Sequence, residues 1–303
     1  MEYVLQTKHL SKKYGRFYAL NDLNMSVPRG SISGFVGKNG AGKTTLIRTI
    51  CDLQQPSSGS YSLYGIHNRN AKIAKSRRRM GAVVEAPAIY LDMTAEQNLM
   101  EQAILLGLPA FTGLGELLSL VGLSNVGAKK AKDFSLGMRQ RLGIAVALVG
   151  DPDFLVLDEP INGLDPQGII DMRELILRLN RERQLTILIS SHILDELSRL
   201  ATHYGFIDRG QLIKEIDAAQ LEQQCRKCTR IQVNNTALLP HALDLMGIEY
   251  CIHSQTEAEL YAKPHVGRLA AALAKEGCEI VSIQEKDESL ESYFMNLVGG
   301  EEA

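Results

Sequence analysis

The chain has 303 residues, enough for two domains of ordinary size. Its 33 lysine and arginine residues nearly balance 35 aspartate and glutamate residues, and the resulting net charge of −2 does not favour nucleic-acid binding. No apolar run approaches the ~18 residues that span a bilayer, and the N-terminus lacks a basic segment followed by an apolar stretch. We therefore expect a cytosolic protein without a signal peptide.

A phosphate-binding pattern occupies residues 37–44, where Gly-Lys-Asn-Gly-Ala-Gly-Lys-Thr matches G-x-x-x-x-G-K-[ST]. A strand-like run, residues 32–36, precedes this phosphate loop and a helix-like run follows it, as the pattern requires. Glycines let backbone N–H groups point at phosphate oxygens, and the helix adds the positive end of its dipole. We expect Lys43 to contact the β- and γ-phosphates and the Thr44 hydroxyl to join a Mg²⁺ shell. The expected nucleotide contacts are Gly37, Lys38, Asn39, Gly40, Ala41, Gly42, Lys43, Thr44 and Thr45.

A helical segment follows in the middle of the chain. Residues 86–134 show apolar side chains at helical spacing without intervening strands. This pattern predicts a helical subdomain, over about residues 86–150, inserted into an α/β domain.

A strand, a helix and a strand are predicted after the helical segment. Residues 154–157 form a continuously apolar run, typical of a strand buried on both faces, and a second strand is expected over 185–189. Between them, apolar residues recur at helical spacing after Asp165 and Pro166, which suit an N-cap and a first-turn proline. This βαβ order predicts a mainly parallel sheet covered by helices.

Two acidic residues, Asp158 and Glu159, follow the strand at 154–157. The carboxyl ends of parallel strands open toward ligand, so we expect this pair to lie near the phosphate loop. Asp158 is placed to hold Mg²⁺, and Glu159 to orient and deprotonate an attacking water. If these two residues are considered without the phosphate loop, the alternative interpretation is a pair of solvated acidic residues at the end of a strand.

The last hundred residues show a different pattern, predicting a separate α+β domain over 225–303. Its order is βαββαβ, the split βαβ or ferredoxin-like arrangement, followed by an amphipathic helix. The predicted elements are strands at 229–233, 248–253, 257–261 and 279–284, and helices at 236–246, 266–276 and 288–298. This domain contains no phosphate loop, and we expect it to be an accessory unit. The acidic tail, residues 301–303, is expected to be solvated.

Five cysteines are scattered along the chain, and Cys225 and Cys228 form a CxxC pattern. A zinc site would need a second ligand pair, which does not follow in the sequence. A redox motif would open a helix after a strand, whereas this pair precedes a strand. We therefore expect reduced thiols without a metal.

Several ordered motifs resemble the nucleotide-binding domain of ABC transporters. Residues 134–141, Phe-Ser-Leu-Gly-Met-Arg-Gln-Arg, are similar to the signature segment of that family. Residues 162–166 resemble its D-loop and residues 189–192 its switch-histidine loop, while Tyr14 falls where the family places an aromatic that stacks on adenine. The resemblance implies an ABC ATPase fold over residues 1–220, an α/β P-loop NTPase domain, with ATP and Mg²⁺ as its ligands.

Two further roles follow from the resemblance. His192 is expected to contact the γ-phosphate and to help position Glu159 and water. Ser135 suits the N-cap of a helix, and Gly137 allows close backbone approach, so the two make an anion site. In the family, this site meets the nucleotide of the opposite protomer. A second copy, or a homologous ATPase subunit, is therefore the expected partner.

The sequence departs from the family at three places. Glu85 follows a strand at the position where the family usually carries glutamine, and its carboxylate is expected to serve as an oxygen ligand for Mg²⁺. Lys38 replaces a more usual proline, and the signature segment carries Leu136 and Met138 in place of glycine and glutamine. These features resemble the bacitracin and lantibiotic export or self-protection branch.

The resemblance implies the ATPase subunit of an exporter of peptide antibiotics or drugs. Such a subunit lies on the inner face of the plasma membrane and powers a separate integral membrane permease. Two alternatives are a soluble ABC ATPase with a regulatory role, as in translation or DNA repair, and a non-catalytic nucleotide sensor. The presence of Glu159 and His192 argues against the sensor.

Overall fold

A computed structural model describes residues 2–108, 112–225, 228–262, 264–286 and 290–299. It divides into two compact units, Met1–Ala218 and Ala219–Ala303. The predicted acidic tail, residues 301–303, lies outside the described residues. No helix within the described ranges combines the length and the apolar character needed to cross a membrane.

The first unit contains eleven strands, seven α-helices and a short 3₁₀ helix (Ala131–Asp133) within its described residues. The strands are β1 (Tyr3–Tyr14), β2 (Phe17–Leu23), β3 (Ser26–Pro28), β4 (Ile32–Val36), β5 (Ser58–Leu63), β6 (Ile66–His67), β7 (Met80–Val83), β8 (Phe154–Asp158), β9 (Thr186–Ser191), β10 (His203–Asp208) and β11 (Gln211–Asp217). The helices are α1 (Lys43–Ile50), α2 (Ile73–Arg77), α3 (Ala95–Leu105), α4 (Leu114–Leu120), α5 (Leu136–Leu148), α6 (Pro166–Arg183) and α7 (Leu194–Ser198).

A six-stranded sheet carries the site, with strand order β11-β10-β4-β9-β8-β7. All pairs are parallel except β10 with β11, as the βαβ pattern predicts. Every residue of β4, β8 and β9 is buried, because helices and a second sheet cover both faces. The parallel register aligns the carboxyl ends of these three strands at one edge of the sheet.

A second sheet, which the sequence pattern did not indicate, is antiparallel with order β2-β1-β5-β6, and β3 also pairs with β1. Its apolar residues share one core with helix α1 and the six-stranded sheet. Fully buried members of this core are Leu5, Leu10, Leu20, Phe35, Leu46, Ile47, Ile50 and Phe154. Helix α1 is therefore anchored by both sheets.

The segment between β7 and β8 is helical, as its spacing predicts. It contains α3, α4 and α5, and within its described residues the only pairing of the strand type is an isolated bridge between Thr94 and Lys130. Thr94 and Gln97 form a reciprocal capping box at the start of α3.

The second unit has the predicted βαββαβ order. Helix α8 (Ala218–Gln224) leads into it, and its elements are β12 (Cys228–Val233), α9 (Leu239–Leu245), β13 (Tyr250–Ile252), β14 (Glu257–Leu260), α10 (Val266–Lys275), β15 (Ile280–Lys286) and α11 (Leu290–Gly299). The sheet order is β13-β14-β12-β15, with all neighbours antiparallel, which is the split βαβ arrangement. The helical prediction at 236–246 is a short 3₁₀ turn followed by α9.

Candidate nucleotide site

The phosphate loop connects the buried strand β4 to helix α1, as predicted. Gly42 has a φ of 113°, and a Cβ atom there would lie 2.4 Å from the Ala19 carbonyl oxygen. A Cβ on Gly37 would lie 2.5 Å from the carbonyl oxygen of Ile207. Both positions therefore require glycine, because the loop is pressed against neighbouring backbone. Residues 38–40 are exposed at the tip of the loop, where a phosphate can reach their N–H groups.

Lys43 is buried at the start of α1 and folds back into the phosphate loop. Its Nζ donates to the carbonyl oxygens of Gly37, at 2.7 Å, and Lys38, at 3.2 Å. The same nitrogen lies 3.1 Å from Oε1 of Glu159. The ammonium group is thus fixed by the loop itself, rather than extending from it as a mobile charge.

Glu159 lies between Lys43 and His192. Its Oε2 is 2.7 Å from Nδ1 of His192, while Oε1 faces Lys43. The backbone N–H of Glu159 donates to the carbonyl oxygen of Ser190 at 3.2 Å and to its Oγ at 3.0 Å. Glu159 has a φ of 50°, a left-handed conformation that is uncommon for a residue with a side chain. The structure therefore brings three predicted site residues into one hydrogen-bonded group.

Asp158 is the last residue of β8 and is almost wholly buried. Its Oδ1 accepts a 2.5 Å hydrogen bond from Ser190 Oγ, whereas Oδ2 is buried and has no hydrogen-bond partner among the residues that the structure describes. A buried carboxylate oxygen without a partner is costly, and a cation is the kind of group that would compensate it.

Ser190 was not singled out by the sequence, yet it contacts both acidic residues. It lies opposite Asp158 in the register of β8 and β9. The signal that could have found it is the hydroxyl pair Ser190-Ser191, directly after the strand predicted over 185–189; its use would have required knowing that this strand lies next to β8. That neighbour relation is a property of the fold and is absent from the local sequence.

Glu85, the predicted Mg²⁺ ligand, forms an ion pair with Arg48 of helix α1. Nη2 of Arg48 lies 2.8 Å from Oε1 and 2.9 Å from Oε2 of Glu85. Both side chains are about half exposed, and Glu85 has a φ of 59°. The sequence placed Glu85 at the site but did not indicate Arg48 as its partner.

Tyr14 is the last residue of β1 and its side chain is 47% exposed. Its hydroxyl donates to the side chain of Gln54, whose Nε2 in turn donates to the carbonyl oxygen of Thr45 at 2.8 Å. Nζ of Lys12 lies 5.3 Å from the ring centroid. The ring is therefore tied to the first turn of α1 and remains accessible to a planar base.

Ser135 and Gly137 lie at the start of α5. Ser135 is its N-cap, as predicted, and Oγ accepts a 3.3 Å hydrogen bond from the N–H of Met138. A Cβ on Gly137 would lie 3.7 Å from Leu164. In the described part of the chain, no hydrogen bond joins these two residues to the group formed by Lys43, Glu159 and His192.

The CxxC pair spans the junction of helix α8 and strand β12, because Cys225 follows α8 and β12 begins at Cys228. The two residues between them and the Cys228 side chain lie outside the described residues. Within the described ranges, no cluster of three or more His, Cys, Asp or Glu residues could hold a metal ion.

Comparison with known proteins gives three similarities. The ABC transporter family model matches residues 20–162. The bacitracin transport ATP-binding protein BcrA of Bacillus licheniformis is 39% identical over 305 aligned residues, covering 99% of each chain. The lantibiotic transport ATP-binding protein SrtF of Streptococcus pyogenes is 41% identical over 219 residues, covering 72% of this chain and 93% of SrtF.

Solved structures share the fold. The CbiO1 component of the CbiONQ ABC transporter complex of Clostridium perfringens superposes with a TM-score of 0.67 at 27% identity. The match covers 74% of this chain and 92% of CbiO1. The predicted P-loop fold, an α/β domain with an inserted helical subdomain, is confirmed.

Proposed function

The chain belongs to the family of ABC transporter ATP-binding proteins, and we propose that it hydrolyses ATP to power a separate membrane permease. The observation that carries the proposal is the position of Glu159. This acid follows a buried strand beside the phosphate loop and is hydrogen-bonded to Lys43 and His192. An acid placed between the lysine of a phosphate loop and a histidine is suited to act on a water next to a γ-phosphate.

ATP binding would begin at the phosphate loop and at Tyr14. The phosphates would replace the carbonyl oxygens of Gly37 and Lys38 as partners of the Lys43 ammonium. Adenine would stack on the exposed ring of Tyr14, which Gln54 holds near the first turn of α1.

Hydrolysis requires that a water be oriented and deprotonated. The Glu159 carboxylate would accept a proton from water as the water oxygen bonds to the γ-phosphorus, and the bond from that phosphorus to the ADP oxygen breaks. His192 bonds Glu159 through Nδ1, so its Nε2 is the atom that we expect at the γ-phosphate. Ser190 would keep Glu159 in place through the hydrogen bonds to its backbone N–H.

The donors around Asp158 fit Mg²⁺. Oδ2 of Asp158 is a buried oxygen without a hydrogen-bond partner in the described part of the chain, and Thr44 supplies a hydroxyl at the first turn of α1. We infer that these two residues would hold the ion, with the Glu85 carboxylate as a further oxygen ligand. When bound, Mg²⁺ would neutralise charge on the phosphates.

Coupling to transport is inferred from the relatives, whose names describe bacitracin and lantibiotic transport. We propose export of peptide antibiotics as the function, on the inner face of the plasma membrane, with an integral membrane permease as partner. The anion site at Ser135 supports a dimer in which each chain completes the site of the other.

Hydrolysis is tested with Glu159→Gln and a matched control. Glu182→Gln makes the same change at an exposed position of α6, close to the end of the sheet that is remote from the phosphate loop. Phosphate release should be lost in the first variant and retained in the second. Equal activity in the two variants would remove the assigned role of Glu159.

Coupling is tested by co-expression with candidate integral membrane permeases from the same genome. This chain and one of them should purify together from detergent-solubilised membranes, and bacitracin or a lantibiotic should stimulate ATP hydrolysis by the complex. A chain that hydrolyses ATP but is not recovered with any integral membrane protein would contradict the transport function and favour the soluble regulatory alternative.

A further inference from the structure

The ion pair of Arg48 and Glu85 joins two elements of the site that are far apart in sequence. Arg48 lies in helix α1, one helical turn beyond Thr44, and Glu85 comes two residues after β7. One guanidinium nitrogen, Nη2, contacts both carboxylate oxygens, at 2.8 and 2.9 Å. The pair therefore fixes where the Glu85 carboxylate lies relative to α1.

The ion pair lies at the edge of the sheet that carries the phosphate loop. Thr44 and Arg48 are four residues apart in α1, so their side chains lie on one face, with Cβ atoms about 6 Å apart. Arg48 therefore projects from the face of α1 that carries Thr44. Glu85 follows the carboxyl end of β7, which is parallel to β8, so its carboxylate lies at the same edge of the sheet as Asp158 and acts electrostatically on a triphosphate bound there.

The interaction between the Glu85 carboxylate and a bound triphosphate is repulsive. Asp158 and Glu159 already bring two carboxylates to this edge of the sheet, and ATP adds several negative charges. A third carboxylate repels the triphosphate, whereas a neutral amide would not. Arg48 is a cation in direct contact with Glu85, and its positive charge offsets the negative charge of that carboxylate.

We propose that Arg48 is a positioning residue that allows this chain to carry a carboxylate at Glu85. Arg48 neutralises Glu85 as Mg²⁺·ATP enters and holds its carboxylate on the Thr44 side of α1. This inference rests on the proposed function, because it assumes that ATP binds at the phosphate loop. It predicts that Arg48 matters only while residue 85 is charged.

The test measures the Kd of Mg²⁺ with a non-hydrolysable ATP analogue, AMP-PNP, by titration calorimetry. Four proteins are compared: the wild type, Arg48→Ala, Glu85→Gln and the double variant. Arg48→Ala should weaken binding about three- to fivefold, the range expected for an exposed charge pair. In the Glu85→Gln background the same substitution should change the Kd less than about twofold, since no charge remains to be offset. Arg48→Lys should bind like the wild type, and the weakening should shrink at high salt.

The matched control is Arg29→Ala. Arg29 is as exposed as Arg48, pairs with Glu2 at 3.0 Å and precedes β4, at the end of the sheet remote from the phosphate loop. Its loss should leave the Kd unchanged. Thermal unfolding of each variant shows whether α1 remains folded.

Two results would overturn the inference. A Kd for Arg48→Ala equal to that of the wild type excludes charge compensation. Equal weakening by Arg48→Ala with and without Glu85→Gln assigns Arg48 a structural role in α1 instead. A wild type that does not bind Mg²⁺·AMP-PNP would contradict the proposed function as well as this inference. The two results above contradict only the inference, because the wild type still binds the nucleotide in both.

Discussion

Nζ of Lys43 and the carboxylate of Glu159 are 3.1 Å apart, although both residues are expected to act at the same phosphate. A γ-phosphate and this carboxylate would therefore compete for one ammonium group. The carboxylate is also bonded to His192, so it keeps a partner when Lys43 turns to the phosphate. Binding of ATP is thus expected to rearrange this group without leaving Glu159 unpaired.

Glu159→Gln should separate binding from hydrolysis. The amide retains the size of the side chain but cannot accept the proton of water, so turnover should fall by about 10²- to 10⁴-fold. Because a neutral side chain competes less for Lys43, ATP should bind at least as tightly as to the wild type. Phosphate release and calorimetry measure the two effects, and near-normal turnover would exclude Glu159 as the base.

Lys43→Ala should act on binding itself. It removes the ammonium group that is expected at the β- and γ-phosphates, so the Kd for ATP should rise by at least about tenfold. The same calorimetric titration measures it. A variant that binds ATP normally but hydrolyses it slowly would place Lys43 in the chemical step only.

Two substitutions test whether Glu85 serves as an oxygen ligand or only connects β7 to the helical subdomain. Glu85→Gln keeps a side-chain oxygen and should retain substantial ATP hydrolysis. Glu85→Ala removes it and should lose much more activity. Steady-state rates at saturating Mg²⁺ measure both, and small, equal losses would show that the position serves only as a connection to the helical subdomain.

Complementation tests whether two chains share each site. A heterodimer of one Lys43→Ala chain and one Ser135→Ala chain, isolated with two different tags, places both defects in one site and leaves the other site intact. It should recover part of the activity that each homodimer lacks. The control heterodimer joins a wild-type chain to a chain that carries both substitutions.

In that control, each of the two sites contains one defect, so it should remain inactive. The reverse result, an active control and an inactive heterodimer of the two single variants, would mean that Ser135 acts within its own chain, because the wild-type chain of the control would then hold an intact site. The dimer mechanism would then be wrong, although ATP binding by the phosphate loop would stand.

Cys51 should resist alkylation in the folded protein. Burial, assisted by the negative charge of Asp158, raises the pKa of its thiol to about 12 from a usual value of 9.0. Three pKa units lower the reactive thiolate fraction about a thousandfold at pH 8. Mass spectrometry after iodoacetamide treatment should therefore find Cys51 labelled only when the chain is unfolded in urea.

The same shift predicts a pH dependence of stability. The unfolded chain loses the Cys51 proton near pH 9, whereas the folded chain keeps it to about pH 12, so stability should decline as the pH rises through this window. Cys51→Ala should decline less. An identical decline in both proteins would contradict the assignment to Cys51.

The parts of the structure that depend on a few neighbouring residues were predictable. The phosphate loop is specified by eight consecutive residues, and the caps at Ser135 and Asp165 each bond an N–H three residues ahead. The βαβ unit and the βαββαβ order of the second unit followed from apolar periodicity, with helix and strand ends within a few residues.

The antiparallel sheet was not predictable because its pairing is distant and irregular. Strand β1 pairs with β2, β3 and β5 with shifted registers, and its buried residues do not alternate with exposed ones. The contacts of Ser190 with Asp158, and of Arg48 with Glu85, join residues 32 and 37 positions apart. No local pattern marks such partners.

Helix α1 has only eight residues, and its side chains contact much of the site. Leu46, Ile47 and Ile50 are buried in the core, Lys43 reaches Glu159, and Arg48 reaches Glu85. Exposed positions of a protein usually tolerate more substitutions than buried ones. In a saturation mutagenesis experiment, Arg48 should tolerate few replacements although it is exposed, and the few accepted should be cations or occur together with a neutral residue 85.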